Sequence, residues 1–228
     1  MANRPVFVPC LTGDVLVDIK NVEFEWFAGM SASQKKKSMN SLHNAYLKTN
    51  PNSHILEVSS KSENDLGIAL SAFNLSLRTH SNQIITVENV FQSSKVFESG
   101  GAFKDLLYKT PREAKTDPRL KSSGNLIKFT YKNQDWALEP KTAFYDWVYL
   151  NFLNQNDELK IQVLNYNAFT DIEFNPSKSI NCQAYSVALY VALAKRNLLR
   201  DNVIPEKDEF IALIRQFDIK NSSDGSLF

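Results

Sequence analysis

Only two cysteines, Cys10 and Cys182, occur in the 228 residues, far apart and with no C-x-x-C spacing, so neither a disulfide framework nor a zinc-ligand set is expected. Reduced thiols and a cytoplasmic location follow as expectations. Long apolar runs are also missing. No window approaches the ~18 consecutive apolar residues of a membrane span, and MANRPVFVPCLTGD has no charged start followed by a long apolar stretch, so neither secretion nor a membrane partner is expected. Charge of one sign is not in excess: 26 Lys plus Arg face 25 Asp plus Glu, which removes any global attraction to a polyanion. Glycine is scarce, with seven residues, and the common catalytic signatures are absent: no G-x-S-x-G, H-E-x-x-H, G-x-x-x-x-G-K-[ST] or G-x-G-x-x-G.

What is present is core material, including fifteen Phe and three Trp, enough for a packed globular chain. Near the start PVFVP, VLVDI and VEFEWF cluster β-branched and aromatic residues around Thr12-Gly13-Asp14 and Lys20-Asn21, which predicts a small antiparallel meander. SASQKKKSMNSLHNAYLKTNPN follows as an amphipathic helix with a Ser cap, Met39, Leu42 and Tyr46 on one side, and Asn-Pro at its end. HILEVSS reads as a strand, LGIALSAFNLSLRT as strand or irregular, and ITVENVFQSSKVFESGG as a helix closed by Gly100-Gly101. LIKFTY alternates as a strand, Glu139-Pro140 opens a helix, SINCQAYSVALYVALAKR is apolar nearly all round and so central, and PEKDEFIALIRQF is a last amphipathic helix. The fold class expected is α+β, predominantly α-helical, with a small N-terminal antiparallel β-sheet.

Chemistry is sparse along this chain. In VENVFQSSKVF, Glu88, Gln92 and Lys95 stand four and three residues apart, within an arc of about 60° on a helix. A carboxyl beside an amine offers acid–base chemistry or a Schiff base, although the spacing alone favours a solvated flank. Asp171 and Glu173 precede a Pro-containing loop and a helix start, where acids also serve the helix dipole. Lys35 to Lys37 can grip phosphate or simply face water. His43, His54 and His80 are scattered, and Cys182 lies in an apolar run, where a small buried hydrophobe is the common role.

Read in order, LSAF at Leu70 to Phe73, VENVFQSSKVF, D-I-E-F-N from Asp171 and N-C-Q-A from Asn181 resemble the NADAR (YbiA-like) family. Its pattern is L-S-N-F, E-H-Y-F-Q-A-x-K-F, D-x-x-W-G and N-x-L-G ahead of a long apolar helix. The chain departs from it at Ala72, at Asn89-Val90 and at Phe174-Asn175. Flanking text, VEFEWFAGMSASQKKKS, REAKTDPRL and EPKTAFYDW, is similar to the branch of antitoxins associated with DarT toxins. The resemblance implies a single domain over 1–228, with family-branch strands and helix at 1–65, the family core at 66–218 and a flexible tail at 219–228.

It further implies an antitoxin enzyme that hydrolyses the N-glycosidic bond of ADP-ribosylated guanine in DNA, with a DarT-type toxin as a further partner, no cofactor and no metal. Glu88, Lys95 and Asp171 are the implied catalytic residues; Ser71, Phe73, Phe91, Gln92, Phe174 and Asn181 are the implied substrate contacts. Glu88 or Asp171 would protonate the substrate, and Lys95, about 10 Å of helical rise from Glu88, would either form a Schiff base with the sugar or hold phosphate while water attacks. Weak affinity for unmodified DNA is expected. Two rival readings remain: an N-glycosidase of small N-ribosyl pyrimidine phosphates of the riboflavin pathway, and a non-enzymatic antitoxin that binds its toxin.

Overall fold

The computed structural model describes residues 1–29 and 31–218. The expected tail, 219–228, lies outside them. In chain order the elements are β1 (Ala2–Pro9), β2 (Val17–Phe24), α1 (Ala32–Leu47), β3 (Ile55–Glu57), α2 (Asp65–Ala69), β4 (Ser76–Arg78), β5 (Ile84–Thr86) and α3 (Val87–Ser93). Next come β6 (Lys95–Phe97), β7 (Gly100–Gly101), α4 (Pro111–Thr116), α5 (Arg119–Ser122), β8 (Leu126–Tyr131) and β9 (Gln134–Trp136). The chain continues with α6 (Ala143–Asn154), α7 (Asp157–Val163), β10 (Ala168–Thr170), α8 (Gln183–Lys195) and α9 (Lys207–Asp218).

The fold is mixed α/β, and the self-contained N-terminal sheet expected from the sequence is replaced by a larger one. VLVDI and VEFEWF merge into the single strand β2, which pairs with β1 along its whole length, Ala2 opposite Phe24 and Pro9 opposite Val17. The hairpin then accepts β10 antiparallel to β1, and β3 parallel to β10, giving the order β2-β1-β10-β3. Each face of this sheet buries a different set of side chains. Val6, Phe24, Ala168 and Ile172 meet Met39, Leu42 and Tyr46 of α1, while Phe7 and Phe169 join the larger core built with α8 and α6. Strand alternation explains the division, since successive residues point to opposite faces. The sheet is therefore a middle layer between α1 and α8.

α1 follows its sequence pattern: Ser31 caps it by accepting from the Gln34 amide at 3.3 Å. α8 is central as its all-round apolarity implies, with Val187, Val191 and Leu193 fully buried, each worth roughly 1.5–3 kcal/mol. The region around LSAF and VENVF departs from the expectation. LGIA forms the short helix α2 rather than a strand. The helix of VENVFQS stops at Ser93, and Lys95 starts β6, which pairs with β8, Lys95 opposite Phe129.

Gly67 sits inside α2 where alanine would ordinarily be preferred by about 1 kcal/mol. A Cβ there would stand 2.0 Å from the Glu57 carbonyl oxygen and 2.4 Å from Ser62 Oγ. The clash is with backbone at the end of β3, so it outweighs helix propensity. Gly67→Ala should lose about 2 kcal/mol in urea unfolding; an unchanged or raised midpoint would contradict this account of the α2–β3 contact.

Candidate functional site

Four segments meet beside α3: the LSAF turn, α3 with the first residue of β6, the turn after β10, and the start of α8. Backbone hydrogen bonds join the first two, with Val87 N donating to Leu75 O and Glu88 N to Ala72 O, both at 3.0 Å. Gln183, the first residue of α8, ties in the rest: its Oε1 accepts from Ala72 N at 2.7 Å and its Nε2 donates to Val58 O at 2.7 Å. Tyr149 donates its hydroxyl to Leu70 O. The turn is thus held from α6, α8 and the end of β3 together.

α3 starts at a capping box made by Thr86 and Asn89. Asn89 also donates to Leu106 O at 3.0 Å and Lys109 O at 2.8 Å, fixing the following 3-10 turn against α3. Glu88 is buried at 5% exposure, accepts from Gln92 Nε2 at 2.8 Å on Oε1, and has Lys115 Nζ 4.0 Å from the same oxygen. Lys95 reaches the same place from β6 rather than from the helix flank that its spacing predicts. Its amine lies 4.6 Å from the centre of the Phe91 ring. Burial pushes its pKa down to about 8; Glu88 opposes the fall and Lys115 adds to it. Gly101 makes this placement sterically feasible: it has φ +92, and a Cβ would fall 2.3 Å from the Lys95 carbonyl oxygen.

Asp171 lies near Tyr145, as Glu88 does. The Tyr145 hydroxyl, raised well above its ordinary value by burial, feels both Glu88 and Asp171. Asp171 Oδ1 accepts from the amides of Glu173 at 2.9 Å and Phe174 at 3.2 Å. Burial and the neighbouring Glu57 nonetheless push its pKa up to about 8, so at neutral pH it holds a proton. Glu57, fully buried, sits opposite Thr170 in the β3–β10 pair. It accepts from Ser59 Oγ (2.7 Å) and Ile172 N (2.8 Å) on Oε1 and from Thr170 Oγ1 (2.7 Å) on Oε2. Thr170 spends its one proton on Glu57, so the 2.8 Å contact from His43 must be an Nε2–H donation to Thr170 Oγ1. The ring is neutral, its pKa lowered by burial to about 4.

The residues singled out from the sequence therefore divide. Glu88, Gln92, Lys95 and Phe91 form one group, with Phe73 beside it through the Lys115 amine 5.0 Å above its ring. Phe91 also belongs to the core, its ring centre 5.4 Å from Phe129 and 5.1 Å from Tyr145. Ser71 is buried and donates to Ile68 O, a turn role, and Phe174 packs 6.3 Å from Phe7. Gln92 Oε1 and Asn181 Oδ1 are buried acceptors with no donor from the protein. An unpaired buried acceptor is costly, which makes both of them natural contacts for a ligand that donates. Sequence reasoning passed over Tyr145, Lys115, Glu57 and Gln183. Gln183 stands within N-C-Q-A, Lys115 within REAKTDPRL and Tyr145 within EPKTAFYDW, so three of the four lie inside motifs that carry the resemblance; Glu57 is hidden inside an ordinary strand pattern.

A family profile described as a DarT1-associated NADAR antitoxin matches residues 2–224. The chain belongs to this NADAR family. No curated protein matches it. The profile reaches across the N-terminal hairpin and α1, so the layer under the sheet is part of the NADAR match and not an appendage. No helix among the described residues is long and apolar enough to cross a membrane. No group of His, Cys, Asp and Glu among them has metal-site geometry. Cys182 is buried, with its thiol pKa raised well above the ordinary value, which makes it a poor nucleophile. Surface clefts lined by Gln134, Asp135, Glu206 and Lys207, and by His54, Asn64 and Tyr166, contain none of the catalytic or substrate-contact residues expected from the resemblance.

The two shifted groups give the site a measurable pH dependence. Labelling of Lys95 by a small amine reagent should reach half its limiting rate near pH 8, against about 10.4 for an ordinary lysine; a midpoint near 10 would remove the desolvated amine. Asp171, raised instead of lowered, contributes stability that is complete in acid and lost as pH climbs through the folded value of about 8. Asp171→Asn escapes that loss, so its Tm relative to the parent chain should improve between about pH 5 and pH 8. A Tm difference independent of pH would refute the buried acid.

Proposed function

We propose that this NADAR chain is an antitoxin enzyme that releases ADP-ribose from guanine in DNA, reversing the modification made by a DarT-type toxin. The observation that carries this reading is the Lys95 amine, desolvated to a pKa of about 8 and set beside the buried Glu88 carboxyl. A lysine so placed is a nucleophile near neutral pH. The orphaned acceptors Gln92 Oε1 and Asn181 Oδ1 suit a substrate rich in N–H and O–H donors, as a guanine edge and a ribose both are.

The reaction begins with the acid. Asp171, protonated at neutral pH, gives its proton to the ribose ring oxygen; the bond from that oxygen to the anomeric carbon breaks, and the guanine nitrogen shares its electrons to form an imine. The neutral Lys95 amine adds to this carbon. Proton transfer from Lys95 to the guanine nitrogen, relayed by Glu88, lets the restored base leave with the bonding pair, and the sugar remains on Lys95 as a Schiff base. Water then adds to the imine carbon, the carbon–Lys95 bond breaks, and ring closure returns a proton to Asp171. The net reaction consumes one water and forms guanine and ADP-ribose.

Incubation with an oligonucleotide bearing ADP-ribosylated guanine should give free ADP-ribose and an intact strand, and borohydride during turnover should leave a reduced adduct on Lys95. Glu88→Gln should slow release by about 10²–10⁴-fold. Active turnover without a trappable adduct overturns the covalent route in favour of direct water attack. Release from an N-ribosyl pyrimidine phosphate with DNA untouched moves the substrate, and full protection of cells by Lys95→Ala overturns hydrolysis as the antitoxin mechanism.

A further inference from the structure

Three of the five buried, unpartnered polar atoms among the described residues lie in two places: Gln92 Oε1 in the site beside α3, and Arg4 Nε and Gln34 Oε1 in the N-terminal layer. The second place is organised around Trp26, just beyond β2. The Arg4 guanidinium carbon stands 5.4 Å from the Trp26 ring centre and Lys35 Nζ 5.9 Å. Buried Phe24 meets the ring at 6.2 Å and 68°, and the next residue, Phe27, is pinned to α1 by its amide donating to buried Ser38 Oγ at 3.0 Å and its carbonyl accepting from the same hydroxyl. The indole is held in place and partly buried, packed at the edge of the core between the sheet and α1.

The surrounding charge is cationic and only partly answered. Arg4 has no ion pair among the described residues, and its one hydrogen bond goes to the neighbouring Asn3 carbonyl. Lys36 lies 3.7 Å from Glu63, and Lys35 lies 3.6 Å from Glu173. These lysines stand near the N-terminus of a 16-residue helix with no acid in its first turn, an arrangement the helix dipole disfavours unless an anion is nearby. Lys35 also fixes where the patch lies. Its partner Glu173 comes two residues after Asp171 and accepts from Ser60, so the patch borders the turn that carries the buried acid.

We infer that Trp26, Arg4 and Lys35 form a binding site for the unmodified single-stranded stretch of a polynucleotide beside the damaged base, the indole stacking on one base and the two cations facing its phosphates. This rests on the DNA substrate of the proposed function and adds to it a second contact, outside the pocket. Aromatic stacking flanked by Arg and Lys is the physical basis of sequence-tolerant strand binding. The near-zero net charge of the chain keeps that binding weak and local.

The test uses the full chain, a fluorescent unmodified thymidine 10-mer, the ADP-ribosylated oligonucleotide and ADP-ribosylated guanosine as a lone nucleoside. Trp26→Leu should weaken 10-mer binding and raise the oligonucleotide KM by about tenfold, with nucleoside turnover unchanged. Arg4→Gln with Lys35→Gln, the two cations beside the indole, should flatten the slope of log Kd against log salt by about 1.4, the share of two phosphate contacts on a single strand. Unchanged 10-mer binding in both variants overturns the site, as does an equal loss on oligonucleotide and nucleoside. Loss of toxin binding with 10-mer binding intact would assign the patch to a protein and overturn it too. A parent chain that hydrolyses neither substrate, yet loses the 10-mer on Trp26→Leu, refutes the glycosidase and supports this site.

Discussion

Everything at the site depends on β10 pairing with β1 on one side and β3 on the other. Three residues of strand, Ala168–Thr170, close the sheet, and both neighbouring strands help to place the acid and the helix beyond it. On the β3 side the parallel register puts Glu57 opposite Thr170, so the chain must leave the sheet carrying Asp171 past a buried carboxyl. On the other face Phe169 enters the core shared with α8, which sets the start of that helix beside the same turn. Gln183 then reaches from α8 to Val58 and Ala72, linking the sheet end to the LSAF turn and through it to Glu88. A single short strand thereby fixes the relation between acid and amine.

Glu57, Asp171 and Lys95 lie along or beside that path, each taken out of water with different neighbours. Glu57 has three donors on its two oxygens, the arrangement that best offsets a carboxylate's lost hydration. Asp171 has two backbone donors on one oxygen and the Gln183 side chain as a further donor, yet burial and the neighbouring Glu57 outweigh them and raise its pKa to about 8. Lys95 has an aromatic face and a carboxyl neighbour but also a second amine, and its charge is correspondingly less favoured. Burial is the largest influence on all three, raising Glu57 and Asp171 and lowering Lys95, and the donors and neighbouring charges only oppose or add to it.

Much of this was legible locally, where the pattern is local. The all-round apolarity of SINCQAYSVALYVALAKR gave the central helix, and Ser31 with Met39, Leu42 and Tyr46 gave α1, because periodicity and capping are properties of adjacent residues. Lys95 was misplaced because Glu88, Gln92 and Lys95 fit a helical flank as well as any helix would. What ends α3 at Ser93 is pairing with Phe129, more than thirty residues on, and no local rule sees it. The same holds for the sheet, whose third and fourth strands are three residues each and distant in sequence. Glu57 looked like the polar position of a strand, and its three donors come from Ser59, Thr170 and Ile172, only one of them a neighbour in the chain. By contrast, Asn89 in place of the family's His has a clear local logic once seen: it completes the capping box and holds the 3-10 turn.

Stopping the helix at Ser93 has a chemical consequence. On a continued helix Lys95 would sit about 10 Å of rise from Glu88; from β6 its amine instead comes over Phe91, within reach of the Glu88 charge and out of water. There the amine and the Asp171 carboxyl both titrate near 8. With ordinary values of about 10.4 and 3.9, turning an ammonium and a carboxylate into a neutral amine and a carboxylic acid costs about 9 kcal/mol. With both near 8 that cost almost vanishes, so a free amine and a loaded acid coexist in an appreciable fraction of molecules at neutral pH. Under the proposed mechanism, desolvation of two groups with opposite charge supplies the nucleophile and the proton donor by the same means.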